Sequence, residues 1–339
     1  MSAQRVTNGW RPGMFLVAVG ALISLCGAIG ELGWIHDQPI ARIAGFALLL
    51  PIGLAVTMMW PRDRTPRAQL IGLLFLALIA RLAFLSHPPD TDSNRYLWEG
   101  HLIREGESPY ARVASAPEWE HLRDQYWQGM NQKDLRTIYP PVAEWAFAAI
   151  GTVWYHPTAL KLSFIAFDLG VVALLFAMLL SRGQPAWLAG LYAFNPIPLI
   201  GFAGEAHFDA MLLFFVLLAL WTRERRWMAW SWIAFALAVQ MKLVAVVLLP
   251  ILLRRGGWRT AWLGGLALVL PVLPYLADAR AWFEGVRHFG ADLAFNGSVH
   301  ALTWAAFGDR PTAATLCTAL LAVWIVGVAI AHDDPWRAA

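Results

Sequence analysis

Apolar runs long enough to cross a bilayer recur along the chain, at 14–33, 41–60, 68–86, 160–180, 186–203, 207–222, 260–276 and 312–331. A hydrocarbon core of roughly 30 Å takes about twenty residues of helix, so each run reads as a spanning helix. Between the third and fourth runs the pattern changes. Residues 87–141 mix charges and aromatics in short amphipathic pieces, broken by Pro89, Pro109, Pro117 and Pro140-Pro141. A connection of this length without structure of its own is unusual, so the pattern predicts juxtamembrane helices. One covers Asn94–Glu105, with Tyr96, Leu97, Leu102 and Ile103 roughly on one side.

Charge in the short connections sets the expected orientation. Arg5 and Arg11 precede the first run, and Arg62, Arg64 and Arg67 follow the second. Further on come Arg182, the Arg223/Arg225/Arg226 cluster, the Arg254/Arg255/Arg259 cluster and Arg337. Placing these inside gives cytoplasmic N- and C-termini and puts the 87–141 loop on the outer face. Trp34, Trp60, Trp187, Trp221, Trp227 and Trp258 then fall near span ends, as an aromatic belt requires. Parity adds two expectations. The run 142–155, which opens on Pro140-Pro141 and carries Glu144, lies along the outer face as an interfacial helix, extending the outer region to 87–156. The stretch 227–253, flanked by arginine clusters at both ends, forms two half-length helices meeting near Gln240-Met241-Lys242; one tilted helix with a displaced cluster is the other solution.

Composition agrees with lipid as the solvent: 58% of the 339 residues are hydrophobic and 14% charged, with mean hydropathy +0.52. The net charge of +3 is spent on flanking arginines, which argues against a nucleic-acid partner. Cys26 and Cys317 both fall in apolar runs, so no disulfide framework is expected. The first run reads as a retained signal anchor. No internal repeat or low-complexity segment interrupts the chain, and 1–339 reads as one all-α polytopic membrane domain with about 8–10 spanning helices.

The candidate chemistry gathers on the outer side. Asp90 and Asp92 follow the third run where the chain leaves lipid, a place that suits a general base toward a hydroxyl and equally suits a helix cap. Arg95, Arg104 and Arg112 are placed to hold a lipid phosphate or to pair with Glu99, Glu105 and Glu107. Glu205, His207 and Asp209 share one turn, FAGEAHFDA, read as interfacial capping or, more weakly, as metal ligands. Lys242 sits at the apex of the expected half-helix hairpin, where an intramembrane lysine costs about 2.5–3.5 kcal/mol and calls for a function or a buried partner. Phe295-Asn296-Gly297-Ser298 with His300 forms the last outer set, and Asn296-Gly297-Ser298 also fits a glycosylation acceptor.

These residues fall into an ordered pattern. Asp92 to Gly100 reads D-x-x-R-Y-L-W-E-G, Gly106 to Tyr110 reads G-E-S-P-Y, and Thr137 to Pro141 reads T-I-Y-P-P. Asn195-Pro196, Ala206 to Asp209, Met241-Lys242 and Phe295 to Ser298 follow. The series resembles bacterial GT-C glycosyltransferases, and within them the polyprenol-phosphate-mannose-dependent mannosyltransferases. Two departures stand out: the acids before Arg95-Tyr96 alternate instead of being adjacent, and Glu99 replaces an Asp of the family pattern. The resemblance implies a GT-C-like helical bundle in the bacterial cytoplasmic membrane. It implies inverting transfer of a hexose, mannose first, from a polyprenyl-phosphate donor to a hydroxyl of a glycan, glycolipid or protein acceptor. It gives Asp92 the role of base, with Asp90 as the alternative, and Arg95, Arg112 and Lys242 that of phosphate ligands. Tyr96, Glu99, Tyr110, Tyr139, His207, Asp209, Asn296 and Ser298 then line the cavity. No cofactor is implied, although carboxylates beside a lipid phosphate are able to recruit a divalent ion. A lipid-linked-sugar flippase or a membrane scaffold would also use a polar outer loop, but inverted repeats of the transporter kind are not seen.

Overall fold

The computed structural model describes residues 12–32, 39–254, 256–292 and 298–331, and every regular element in them is helical. Among the described residues four helices are apolar and long enough to cross a membrane: Pro12–Glu31, Pro157–Ser181, Trp258–Gly290 and Arg310–Val328. A bent pair, Ala186–Ala193 with Pro198–Gly204, makes up to five. Further apolar helices, Ile43–Met58, Pro141–Val153, Met228–Met241 and Leu243–Leu253, are shorter. The protein is a helical membrane protein.

The run expected as one straight span over 186–203 is the bent pair, and its axis turns by 61°. Pro196 and Pro198 explain the break, since neither has an N–H to donate and each disfavours helical geometry in the residue before it. The Asn195 side chain stands in, its Oδ1 accepting from the Ile197 N–H at 2.8 Å. Beyond it, Pro198–Gly204 is wound as a π-helix, a form that recurs at functional sites.

The chain divides into two compact units. The first comprises Met1–Leu97 with Ile150–Leu217. Its core gathers Leu22, Cys26, Ile29, Leu73, Ala77, Phe84, Ile165, Val172, Phe176 and Ala193. The helix Pro66–Leu82 shows how lipid inverts the usual arrangement. Phe75 is 64% exposed whereas Arg81 is 0% exposed, so the apolar face meets hydrocarbon and the charge is kept among protein groups. Thr65 caps this helix by accepting from the Ala68 N–H at 3.3 Å. Inside, Arg81 Nε donates to Asp168 Oδ2 at 2.5 Å and Tyr192 Oη donates to Asp168 Oδ1 at 2.5 Å. Arg81 Nη1 also reaches the Ala77 and Ala193 carbonyls, so one ion pair ties three helical segments together.

The second unit comprises Trp98–Ala149 with Leu218–Ala339. Here the helix Asp92–Arg104 crosses Pro141–Val153 at Gly100. A Cβ on Gly100 would lie 2.8 Å from the Ala148 nitrogen and 2.8 Å from the Phe147 carbonyl carbon, so only glycine permits the crossing. Met228–Met241 ends at Lys242, whose backbone is extended at φ −145° and ψ 133°, before the 3-10 turn Leu243–Leu248 and the helix Leu249–Arg254. Arg223, one of the cluster expected on the cytoplasmic side, is not simply a solvated charge. It is buried, donates to the Leu252 carbonyl and lies 5.1 Å from the centre of the Trp232 ring. An arginine this long can turn inward from a helix end to satisfy carbonyls that lack helical donors.

Candidate functional site

The start of the helix Asp92–Arg104 and the Glu205–Asp209 turn meet in the first unit. Asp90 makes the junction: its N–H donates to the Glu205 carbonyl at 2.9 Å. Its Oδ1 accepts from the Asp92 N–H at 3.0 Å and from Thr91 Oγ1 at 3.2 Å. That is an Asx turn, the side chain folding back to satisfy an N–H that the helix leaves without an internal partner. Asp92 then opens the helix, half-buried, with Arg95 one turn further along the same face and only 6% exposed. Tyr96, 1% exposed, packs edge-to-face on Phe208 at 5.3 Å between ring centroids and on Phe164 at 6.5 Å. Two segments separated by about a hundred residues of chain are thereby locked against each other by one backbone bond and one aromatic pair.

The turn itself is tightly built. The π-helix closes with the Glu205 N–H donating to the Ile200 carbonyl at 2.7 Å, and the His207 N–H reaches the Gly201 carbonyl at 2.9 Å. Between them buried Ala206 takes φ +63°, the left-handed region that a residue with a Cβ enters at a cost. This backbone holds His207 Nε2 3.6 Å from Glu205 Oε2. Burial works against the imidazolium, but the contact with Glu205 and the charges of Glu205, Asp209 and Asp90 outweigh it and raise the His207 pKa above its ordinary 6.5. Protonation of His207 is therefore favoured by its acidic neighbours, Glu205 foremost.

A raised histidine pKa fixes the sign of a pH effect. The stability from this contact is complete below 6.5 and is lost as pH rises through the folded-state value. Thermal melts of the detergent-solubilised protein across that window are expected to fall more steeply for the wild type than for His207→Gln. Parallel curves would show that the cluster does not act this way.

The other motif residues build a buried frame in the second unit. Tyr110 Oη donates to the Tyr139 carbonyl at 2.9 Å, which joins the G-E-S-P-Y and T-I-Y-P-P motifs directly. Tyr110 and Tyr139 are 1% and 8% exposed. Burial, followed by the charges of Glu144, Tyr275 and Glu99, pushes the Tyr110 pKa well up, so it stays a hydrogen-bond donor. Thr137 Oγ1 donates to the buried Glu144 carboxylate at 2.6 Å and accepts from the Tyr139 N–H at 3.3 Å. Gln240 Oε1 accepts from the Val142 N–H at 3.4 Å while its Nε2 donates to the Leu268 carbonyl at 2.7 Å. The helix end that carries half-buried Lys242 is thus tied to the start of Pro141–Val153. Glu99, 2% exposed, belongs to this interior as well.

Arg112 stands apart from this interior. It forms an ion pair with Glu118 in which the two side chains are 49% and 51% exposed, the surface-pairing alternative realised with a different partner. Asn296 lies outside the described residues, and Ser298 begins the helix Ser298–Phe307. Among the described residues no group of three or more His, Cys, Asp and Glu side chains is arranged to hold a metal ion. The sequence did not mark Thr137, Glu144 and Gln240 as supports of the second unit, nor Lys161 and the Arg81–Asp168 pair as supports of the first. Asp168 was the readable one, since a lone acid in the middle of an apolar run demands a buried partner.

A family model described as alpha-(1->6)-mannopyranosyltransferase, N-terminal domain, matches residues 32–254. That interval contains the Asp90–Asp92 segment, the Glu205–Asp209 turn, the Tyr110–Tyr139 frame and Lys242. No solved structure matches the chain.

Proposed function

We propose a reaction from one premise: this chain belongs to the alpha-(1->6)-mannopyranosyltransferase family. It is a mannosyltransferase of the membrane. The donor, on our reading, is a polyprenyl-phosphate-linked mannose, the acceptor is a hydroxyl of a glycan or glycolipid, and the reaction runs on the outer face of a bacterial cytoplasmic membrane. Asp92 removes the acceptor proton as the acceptor oxygen bonds to the anomeric carbon. The bond from that carbon to the phosphate oxygen breaks in the same displacement, the lipid phosphate leaves with the electron pair, and the configuration inverts. Charge on the phosphate grows as the bond breaks, and a cation such as Arg95, one turn beyond Asp92, would stabilise it.

The observation that carries this reading is the pairing of acids at the head of the Asp92–Arg104 helix. Asp90 Oδ1 accepts from the Asp92 N–H and the Thr91 hydroxyl, which supports a capping role for Asp90 and, in this reading, Asp92 as the base. The break at Lys242 supports the hairpin that would bring its ammonium toward a lipid headgroup.

The donor is tested with the full chain reconstituted in vesicles, given labelled polyprenyl-phosphate mannose or labelled nucleotide-diphosphate mannose in separate reactions. Transfer from the lipid-linked donor alone is expected. Transfer from the nucleotide donor with none from the lipid would overturn the donor assignment.

A further inference from the structure

Lys161 lies in the first turns of the long apolar helix Pro157–Ser181 and is only 1% exposed. Its Nζ donates to the Phe84 carbonyl at 3.1 Å, to the Leu85 carbonyl at 3.2 Å and to the His87 carbonyl. These carbonyls follow the end of the helix Pro66–Leu82; the Phe84 carbonyl also accepts from the His87 N–H at 3.1 Å. The next two residues, Pro88 and Pro89, have no N–H to offer. An ammonium group has three hydrogens to donate, and main-chain oxygens take all three. No donor is left for a lipid phosphate, so Lys161 differs in kind from a ligand-binding lysine.

We propose that Lys161 is a positioning residue for the proton-accepting aspartate, holding residues 84–87 as a tripod and through them setting the place of Asp90 and the first turn of Asp92–Arg104. The inference rests on the reading of Asp92 as the base. Two prolines of fixed φ connect His87 to Asp90, so the tripod's placement is transmitted through a stiff link. At the far end Asp90 is bonded to the Glu205 carbonyl. His87 is itself wedged against Gly204, where a Cβ would come within 3.2 Å of His87 Cδ2. If the tripod loosens, His87 and Asp90 shift together and the Asp92 carboxylate moves away from the line of attack. Catalysis is sensitive to such shifts: a displacement of about 1 Å can cost about 100-fold in rate.

The test compares Lys161→Met, Lys161→Arg and Asp92→Asn in the full chain, each with a thermal melt and with transfer rates at varied donor concentration. Lys161→Met is expected to lower kcat by about 100-fold while donor KM stays within about 3-fold. Lys161→Arg keeps the charge, but a planar guanidinium cannot point three hydrogens at three converging carbonyls, and kcat is expected about tenfold below wild type. A wild-type kcat in either Lys161 variant overturns the proposal. So does a loss that tracks the folded fraction with no gain on restoring the charge. If Lys161→Met yields no folded protein, Lys161→Arg decides alone by the same kcat and KM criteria. An inactive Asp92→Asn beside a fully active Lys161→Met removes this inference and leaves the base assignment standing. An active Asp92→Asn removes both.

Discussion

Mannosyl transfer by the Asp92→Asn variant is expected to fall by about 10²–10⁴-fold, the range that a positioned general base contributes. Asparagine keeps the size and the hydrogen-bonding reach of the side chain but cannot take a proton, so the acceptor hydroxyl must attack without losing one. Donor binding does not depend on that step. Its KM is therefore expected to stay close to wild type, the pattern of an interaction realised only in the transition state. Asp90→Asn provides the contrast. Asparagine caps a helix about as well as aspartate, so the bond from the Asp92 N–H survives and activity is expected within a few-fold of wild type. Asp90→Ala, which removes the cap, is expected to cost about 1 kcal/mol of stability. Reversal of the two asparagine phenotypes would move the base to Asp90.

The second large effect is on stability. Arg81→Met is expected to destabilise the protein by about 3–5 kcal/mol, because it strands a carboxylate among apolar groups. Asp168 keeps the Tyr192 hydroxyl, and the Ala77 and Ala193 carbonyls lose the bond from the Arg81 guanidinium. Thermal unfolding in detergent measures the loss. The double variant Arg81→Met/Asp168→Leu removes both charges at once and is expected to melt above Arg81→Met, since an apolar pair of similar volume often matches a buried ion pair. An Arg81→Met protein that melts like wild type would mean that Asp168 is protonated in place or is relieved by another cation.

Particular residues show where sequence reading reached and where it stopped. A helix is expected over Asn94–Glu105, and it is there, starting two residues earlier so that it holds the whole Asp92 to Gly100 motif. The roles within it were not readable. Tyr96, assigned to a cavity by the family resemblance, packs on Phe208 and joins the helix to the turn that carries His207. Gly100 closes the motif because a neighbouring helix backbone occupies the space of its Cβ. Both facts depend on partners far along the chain. Arg112 and Arg223 were each read from neighbouring charges, one toward a phosphate and one toward the cytoplasm. Their actual partners, Glu118 and the Leu252 carbonyl, were selected by folding.

Hydrophobic patterning and proline punctuation by themselves determined that this protein is a helical membrane protein and that a polar loop sits between its third and fourth apolar runs; the order of its acids, aromatics and glycines carried the resemblance to mannosyltransferases. Those features are local: a long apolar run must be helical in lipid because its backbone can satisfy its hydrogen bonds only internally. Tertiary structure alone decided that Asp90 caps while Asp92 opens the helix, that Tyr110 and Tyr139 form a frame, and that Lys161 and Arg81 spend their charge on carbonyls and a buried carboxylate. The physical reason is that burying a polar group is costly until a partner is found. The chain names the groups that need partners, but only the packed helices bring those partners within reach.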